Sequence, residues 1–281
     1  MIPGVLLDEI IVRALREDLH AGDLTTDAVV GADDRAVGRA VAHAPRVVCG
    51  AVVFARVFYA VDRGLRVEAC LDEGARAKPA DVLFVVEGST RSILLGERTA
   101  LNFVQRLSGI ASLTRSFVDA IPAGSALRVV DTRKTTPGLR ALERHAVRTG
   151  GGHNHRNDLG ASVLIKDNHI VAAGSIGRAI ERARAYSPHT TRIEVEVESL
   201  EGLDEALAHR ADCVLLDNFA EELLPEAVRR ASGRALLEAS GNMSVARIPA
   251  LAAAGIDIVS VGALTHSAKA SDIGLDIQRL G

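Results

Sequence analysis

Tryptophan is absent from this 281-residue chain, tyrosine occurs twice, and aromatic residues make up only 3% of it. Single-stranded nucleic-acid binding relies on aromatic platforms for the bases, so the composition argues against it. A net charge of −3 likewise leaves no broad basic footprint for nucleic acid. Cysteine is scarce. Cys49, Cys70 and Cys213 are odd in number, scattered and without metal-ligand spacing, and they read as buried free thiols in a reducing compartment. No apolar run spans a bilayer: the longest, Gly50 to Val61, is interrupted by Arg56. The opening M-I-P-G-V-L-L-D-E-I lacks the basic segment and continuous apolar core of a secretion signal. The expectation is a cytoplasmic protein without membrane or nucleic-acid partners. Lysine is rare too, with Lys78, Lys134, Lys166 and Lys269 set against 29 arginines. Lys134 and Lys166 share one stretch, Asp131 to Ile170. Lysine there marks either a need for a compact, rotatable charge or chance placement in an Arg-biased composition.

What remains is ordinary for a globular protein, 48% hydrophobic and 25% charged, and long enough for an α/β barrel with a smaller domain. Apolar spacing predicts a helix over Leu6–Leu19, and the polar E-D-L-H-A-G-D-L-T-T-D after it reads as a loop. Val37–Ala44, Leu65–Leu71 and Asp81–Val86 read as strands and Gly50–Val61 as a helix, which together suggest a small α+β domain. Ile93–Ser108 reads as a long helix. Strand-length apolar runs then alternate with helices: Leu127–Asp131, Val163–Lys166, Arg192–Val197, Cys213–Leu216, Ala235–Ala239 and Ile258–Val261. The helices between them are predicted at Pro137–Thr149, Ile176–Tyr186, Leu200–His209, Leu223–Ala231 and Val245–Ala254. Such β/α units build a parallel barrel or a doubly wound sheet. No G-x-G-x-x-G follows the first strand, which weakens a dinucleotide-binding reading. The barrel is favoured because polar residues recur at the C-terminal strand ends, where barrels place their chemistry. They are Thr132-Arg133-Lys134, Lys166-Asp167-Asn168, Glu196, Asp217-Asn218, Ser240-Gly241 and Gly262.

Arg133, Lys134, Arg156 and Lys166, with His155 and His169, form a cationic cluster within the stretch Asp131 to Ile170 of a slightly acidic chain. This suits a small, multiply anionic substrate. Glu196 and Asp217 close successive strands; they either hold one Mg²⁺ through hard oxygen ligands or make an ion pair and a helix cap. Ser240, Gly241 and Gly262 precede helical or loop segments, where backbone N–H groups bind phosphate or glycine simply relieves a tight turn. His153 and His155 form an H-x-H pair with no further ligand nearby. His155 with Arg156 reads as an anion-contacting pair, and His153 as turn filler.

Taken in order, G-E-R-T-A-L-N-F-V-Q-R-L-S-G-I-A, D-T-R-K-T-T-P-G-L-R, G-G-G-H-N-H-R, L-I-K-D-N-H-I, I-E-V-E-V, L-L-D-N, E-A-S-G and S-V-G-A-L-T-H-S resemble the quinolinate phosphoribosyltransferase family from about Glu17 to the end. The resemblance implies an incomplete parallel α/β barrel of seven strands, one more than the spacing shows, with an N-terminal α+β sandwich. The domains would be residues 1–109, joined by the tail 267–281, and residues 110–266. It implies a homodimer, with higher assembly open, in which Arg98 reaches quinolinate across the interface. Thr132, Arg133, Lys134, His155, Arg156 and Lys166 would surround the carboxylates of quinolinate and the phosphates of phosphoribosyl pyrophosphate. Glu196 and Asp217 would serve the ribose and Mg²⁺, with Lys134 and Lys166 beside them as catalytic residues. Ser240, Gly241, Asn242 and Gly262, with His266 nearby, would hold the sugar phosphate. After E-A-S-G the chain has Asn242-Met243 where the family pattern has Gly and a β-branched residue. The implied alternatives are a molybdenum-transport-associated paralogue, a non-catalytic phosphosugar binder and a nicotinate-specific transferase. The intact L-I-K-D-N-H-I disfavours the first of these, and the retained acidic pair with the full cationic set disfavours the second. The third would need fewer cations.

Overall fold

A computed structural model describes residues 2–280, which divide into two units. Residues 2–115, 135–151 and 267–280 form the first, and residues 116–134 and 152–266 the second.

In the first unit, α1 (Gly4–Asp18) buries Leu7, Ile11 and Leu15, which fall on one face at a spacing of four. The segment expected as a loop contains a short helix, α2 (Leu24–Val29). Its start is a side-chain cap: Asp23 accepts the Thr26 N–H at 3.0 Å and satisfies a donor the helix leaves open. Four strands follow with one helix among them: β1 (Arg35–Ala42), β2 (Arg46–Val47), α3 (Ala51–Val61), β3 (Arg66–Ala69) and β4 (Arg76–Ala77). Strand β5 (Val82–Ser89) leads into α4 (Thr90–Asp119). The C-terminal strand β12 (Ile273–Leu280) returns to this unit and completes an antiparallel sheet of order β12-β1-β5-β3. Phe54 of α3 meets Phe58 of the same helix at a ring-centroid distance of 4.9 Å and Phe84 of β5 at 4.7 Å. Burying each is worth roughly 1.5–3 kcal/mol.

Helix α4 runs 30 residues, well past the predicted Ser108. Gly109 does not end it, because a Cβ there would lie 2.0 Å from the Lys269 carbonyl oxygen. That glycine is a contact surface for the returning tail rather than a helix stop. The helix α5 (Arg140–Thr149) also belongs to the first unit. Its Glu143 is fully buried and binds Arg106 of α4 at 2.8 Å.

The second unit holds six parallel strands in the order β6-β11-β10-β9-β8-β7. They are β6 (Arg128–Val130), β7 (Val163–Ile165), β8 (Ile193–Val197), β9 (Cys213–Asp217), β10 (Leu236–Ser240) and β11 (Ile258–Ser260). The connecting helices are α6 (Asp167–Ala173), α7 (Ile176–Tyr186), α8 (Leu200–Ala208), α9 (Leu224–Ala231), α10 (Ile248–Ala254) and α11 (Ala263–His266). Ser175 and Ser199 cap α7 and α8 by accepting the N–H groups of Arg178 and Gly202. The seventh strand position is reduced to a single bridge between Val130 and His153. His153 is therefore more than turn filler: its N–H donates to the Val129 carbonyl at 2.8 Å, and its own carbonyl accepts from Asp131 N–H. Periodicity cannot reveal a strand one residue long.

Cys49 and Cys213 are buried free thiols, but Cys70 is exposed, contrary to expectation, because it follows the edge strand β3. Among the described residues, no helix is long and apolar enough to cross a membrane.

Candidate active site

Strand register decides which polar residues meet. Glu194 and Glu196 of β8 lie level with Cys213 and Leu215 of β9. Leu215 and Asp217 in turn lie level with Glu238 and Ser240 of β10. Side chains alternate along a strand, so Glu194, Glu196, Asp217, Glu238 and Ser240 share one face, while Val195, Val197, Leu216 and Ala239 take the other. Lys166 follows β7 directly, and its Nζ lies 2.5 Å from Glu196 Oε2. Asp217 closes the next strand and accepts from Asn218 Nδ2 at 2.9 Å. Glu198, one step past β8, is exposed.

The loop after β6 is pinned from below. Asp131 is fully buried and accepts the His155 N–H at 2.8 Å and Asn154 Nδ2 at 2.6 Å. The His155 ring turns inward, with Nε2 3.1 Å from Glu194 Oε2 and 3.6 Å from Glu238 Oε2. Its Nδ1 accepts the Arg156 backbone N–H at 2.7 Å. Burial lowers the ring's pKa, but the hydrogen bond to Glu194 and the charges of Glu238 and Glu194 outweigh it, and the net direction is up. A second proton on Nδ1 would still face the Arg156 N–H, so the bonds fit a neutral ring protonated on Nε2. Glu238 is pushed up to about 8, first by burial and then by the charge of Glu194. That direction favours the protonated form of Glu238 at neutral pH.

Arg156 donates to the Ser162 carbonyl at 3.3 Å. Burial holds its pKa below the ordinary value, and the nearby Arg133 charge adds to that. Two guanidinium groups this close, with the Arg133 charge acting on Arg156, are an arrangement that suits an anion.

A cavity of about 400 Å³ opens beside this cluster, lined by Thr132, Lys134, Ser240, Gly241, Asn242, Gly262 and His266 among others. Gly241 has φ +99°, and a Cβ there would fall 2.1 Å from Asn218 Oδ1. Only glycine lets the backbone run so close to its neighbour. Asn242 follows at φ +44°, a left-handed conformation that Asn tolerates, so the departure from the family pattern is accommodated locally. Thr265 Oγ1 donates to the Lys134 carbonyl at 2.8 Å and ties the two sides of the cavity together.

The second unit thus gathers Thr132, Arg133, Lys134, His155, Arg156, Lys166, Glu196, Asp217, Ser240, Gly241, Asn242, Gly262 and His266. Arg98 lies in the first unit, exposed on α4, and lines a separate cavity of about 380 Å³ with Arg13, Asn102 and Leu139. Asp131 and Glu238 carry no signal in the sequence, whereas the alternation in I-E-V-E-V sets Glu194 on the face of Glu196 without naming its partner His155.

Two family models match the chain: the quinolinate phosphoribosyl transferase N-terminal domain over residues 23–108 and the C-terminal domain over residues 110–276. A protein of Mycobacterium leprae named nicotinate-nucleotide pyrophosphorylase (carboxylating) is 46% identical over 274 residues, 95% of each chain. A Homo sapiens protein of the same name is 37% identical over 281 residues, covering 99% of this chain and 93% of the relative. The crystal structure of NadC from Streptococcus pyogenes superposes with a TM-score of 0.95 at 41% identity, covering 100% of this chain and 99% of that one.

Proposed function

The chain belongs to the quinolinate phosphoribosyltransferase family, and from that premise we propose that it makes nicotinate mononucleotide for NAD biosynthesis. It joins the ring nitrogen of quinolinate to C1 of phosphoribosyl pyrophosphate, releases pyrophosphate and loses the 2-carboxylate as CO2. The observation that carries this reading is the facing of a cationic cluster, an acidic pair and a glycine-built cavity toward the C-terminal ends of one parallel sheet.

Each group has a task in that reaction. Arg133, Lys134, Arg156 and Lys166, with His155 beside them, hold two anionic substrates together against their mutual repulsion, which requires fixed geometry. Thr132, Ser240, Gly241, Asn242, Gly262 and His266 take the sugar phosphate. Pyrophosphate departure leaves an oxocarbenium-like sugar, and the carboxylates of Glu196 and Asp217 stabilise it electrostatically. The same two oxygen donors, on one face of adjacent strands, suit Mg²⁺, which prefers hard ligands and keeps several waters. When bound, the ion would neutralise charge on the leaving pyrophosphate. Lys166 forms an ion pair with Glu196 beside this position. Decarboxylation then leaves the electron pair at ring C2, offset by the pyridinium nitrogen and the neighbouring cations, and uptake of a proton at C2 completes nicotinate mononucleotide. The active unit in this reading is a homodimer in which Arg98 contacts quinolinate held by the partner subunit.

Purified protein with Mg²⁺ and phosphoribosyl pyrophosphate is expected to consume quinolinate and yield nicotinate mononucleotide with CO2. Turnover of nicotinate with none of quinolinate would overturn the proposal, since a monocarboxylate needs fewer of these cations.

A further inference from the structure

The reaction above gives no task to two buried carboxylates. Glu194 and Glu238 are 6% and 2% exposed, and Glu238 Oε1 is buried without a hydrogen-bond partner among the described residues. Paired carboxyl groups inside a sheet are costly, and apolar residues of the same volume usually pack there with better stability. What the pair does hold is the His155 ring, through Nε2 at 3.1 and 3.6 Å. The contact continues outward: Nδ1 of that ring accepts the Arg156 backbone N–H at 2.7 Å, and the Arg156 guanidinium stands near Arg133. An unbroken line of bonds therefore runs from the interior to the receptor for the anion. A carboxylate that holds one ring nitrogen sets the tautomer and so decides what the other nitrogen can accept.

We propose that Glu194 and Glu238 are positioning residues for quinolinate: by fixing the orientation and tautomer of His155, they set the Arg156 backbone and aim its guanidinium, beside Arg133, at the substrate's carboxylates. This rests on the function proposed above. Glu194 is the stronger holder because it is the nearer one. Neither carboxylate touches substrate. Their influence passes through His155, and the sugar-phosphate cavity, whose lining includes neither His155 nor Arg156, does not depend on it.

The test is a Glu194→Leu and Glu194→Gln pair, read by separate KM values. In Glu194→Leu, the KM for quinolinate should rise about tenfold while that for phosphoribosyl pyrophosphate stays within about twofold, since small misplacements of a binding group are magnified in this way. Glu194→Gln still offers an oxygen to Nε2–H and should recover most of the loss. Equal rises in both KM values, or no rise for quinolinate, would overturn the proposal. A second measurement needs neither substrate nor the Leu variant: ¹⁵N spectra of the histidines in the ligand-free wild type should show His155 protonated on Nε2 and accepting on Nδ1. A ring protonated on Nδ1 would refute the positioning role. If the wild type fails to consume quinolinate while its His155 shows the expected tautomer, the parent function falls and the holding of His155 stands.

Discussion

A carboxyl group kept protonated near neutrality makes folding depend on pH in a defined direction. Glu238 is that group here, its pKa raised to about 8 by burial and by Glu194. Between the ordinary Glu value and about 8, the folded chain keeps a proton that the unfolded chain releases. The stabilising contribution is therefore complete at low pH and is lost as pH rises through that window. Thermal stability should fall from pH 6 to pH 9, and Glu238→Gln, neutral throughout, should flatten that fall. An unchanged slope in the variant would show that Glu238 does not carry the proton. At this scale the candidate site was only half legible. Arg133, Lys134, Arg156 and Lys166 announce themselves as cations in a mildly acidic chain. Asp131, Glu194 and Glu238 do not, because a strand carboxylate has no sequence feature naming the group it will face across the interior.

At the scale of elements, period and capping explain most of the outcome. The six parallel strands occur where apolar runs of strand length predicted them, each end within one residue. Helix α2 lies in a polar, glycine-containing segment that reads as a loop, although Asp23 at its start is the cap that makes it. The turn leading into α5 depends on a contact no local pattern encodes. Glu143 receives the Thr136 N–H at 3.0 Å, Thr136 Oγ1–H at 2.8 Å and the Arg106 guanidinium. Removing one partner of a buried ion pair strands the other, at a cost of about 3 kcal/mol or more. Glu143→Ala should lower stability by about that much in denaturant unfolding, and a loss under about 1 kcal/mol would mean the turn is held by other contacts.

At the scale of the molecule, the chain closes on itself. Strand β12 pairs with β1 over Arg35–Ala42, so the first and last strands of the chain share one sheet. In the proposed homodimer Arg98 and Lys166 of any one active site come from different subunits. Mixing an Arg98→Ala protein with a Lys166→Ala protein should therefore restore part of the activity, since a mixed dimer holds one site with both residues intact. No recovery under proven subunit exchange would refute a shared site.

The sequence by itself determined the class of fold, the order of its elements and the identity of the cations, because periodicity and charge are local properties. Its ordered motifs also carried the family. Tertiary structure alone decided that His153 stands in for a seventh strand, that Gly109 receives the tail, and that His155 turns inward to Glu194 and Glu238. Each of these depends on a partner distant in sequence, and only the register of strands and the packing of helices bring such partners together.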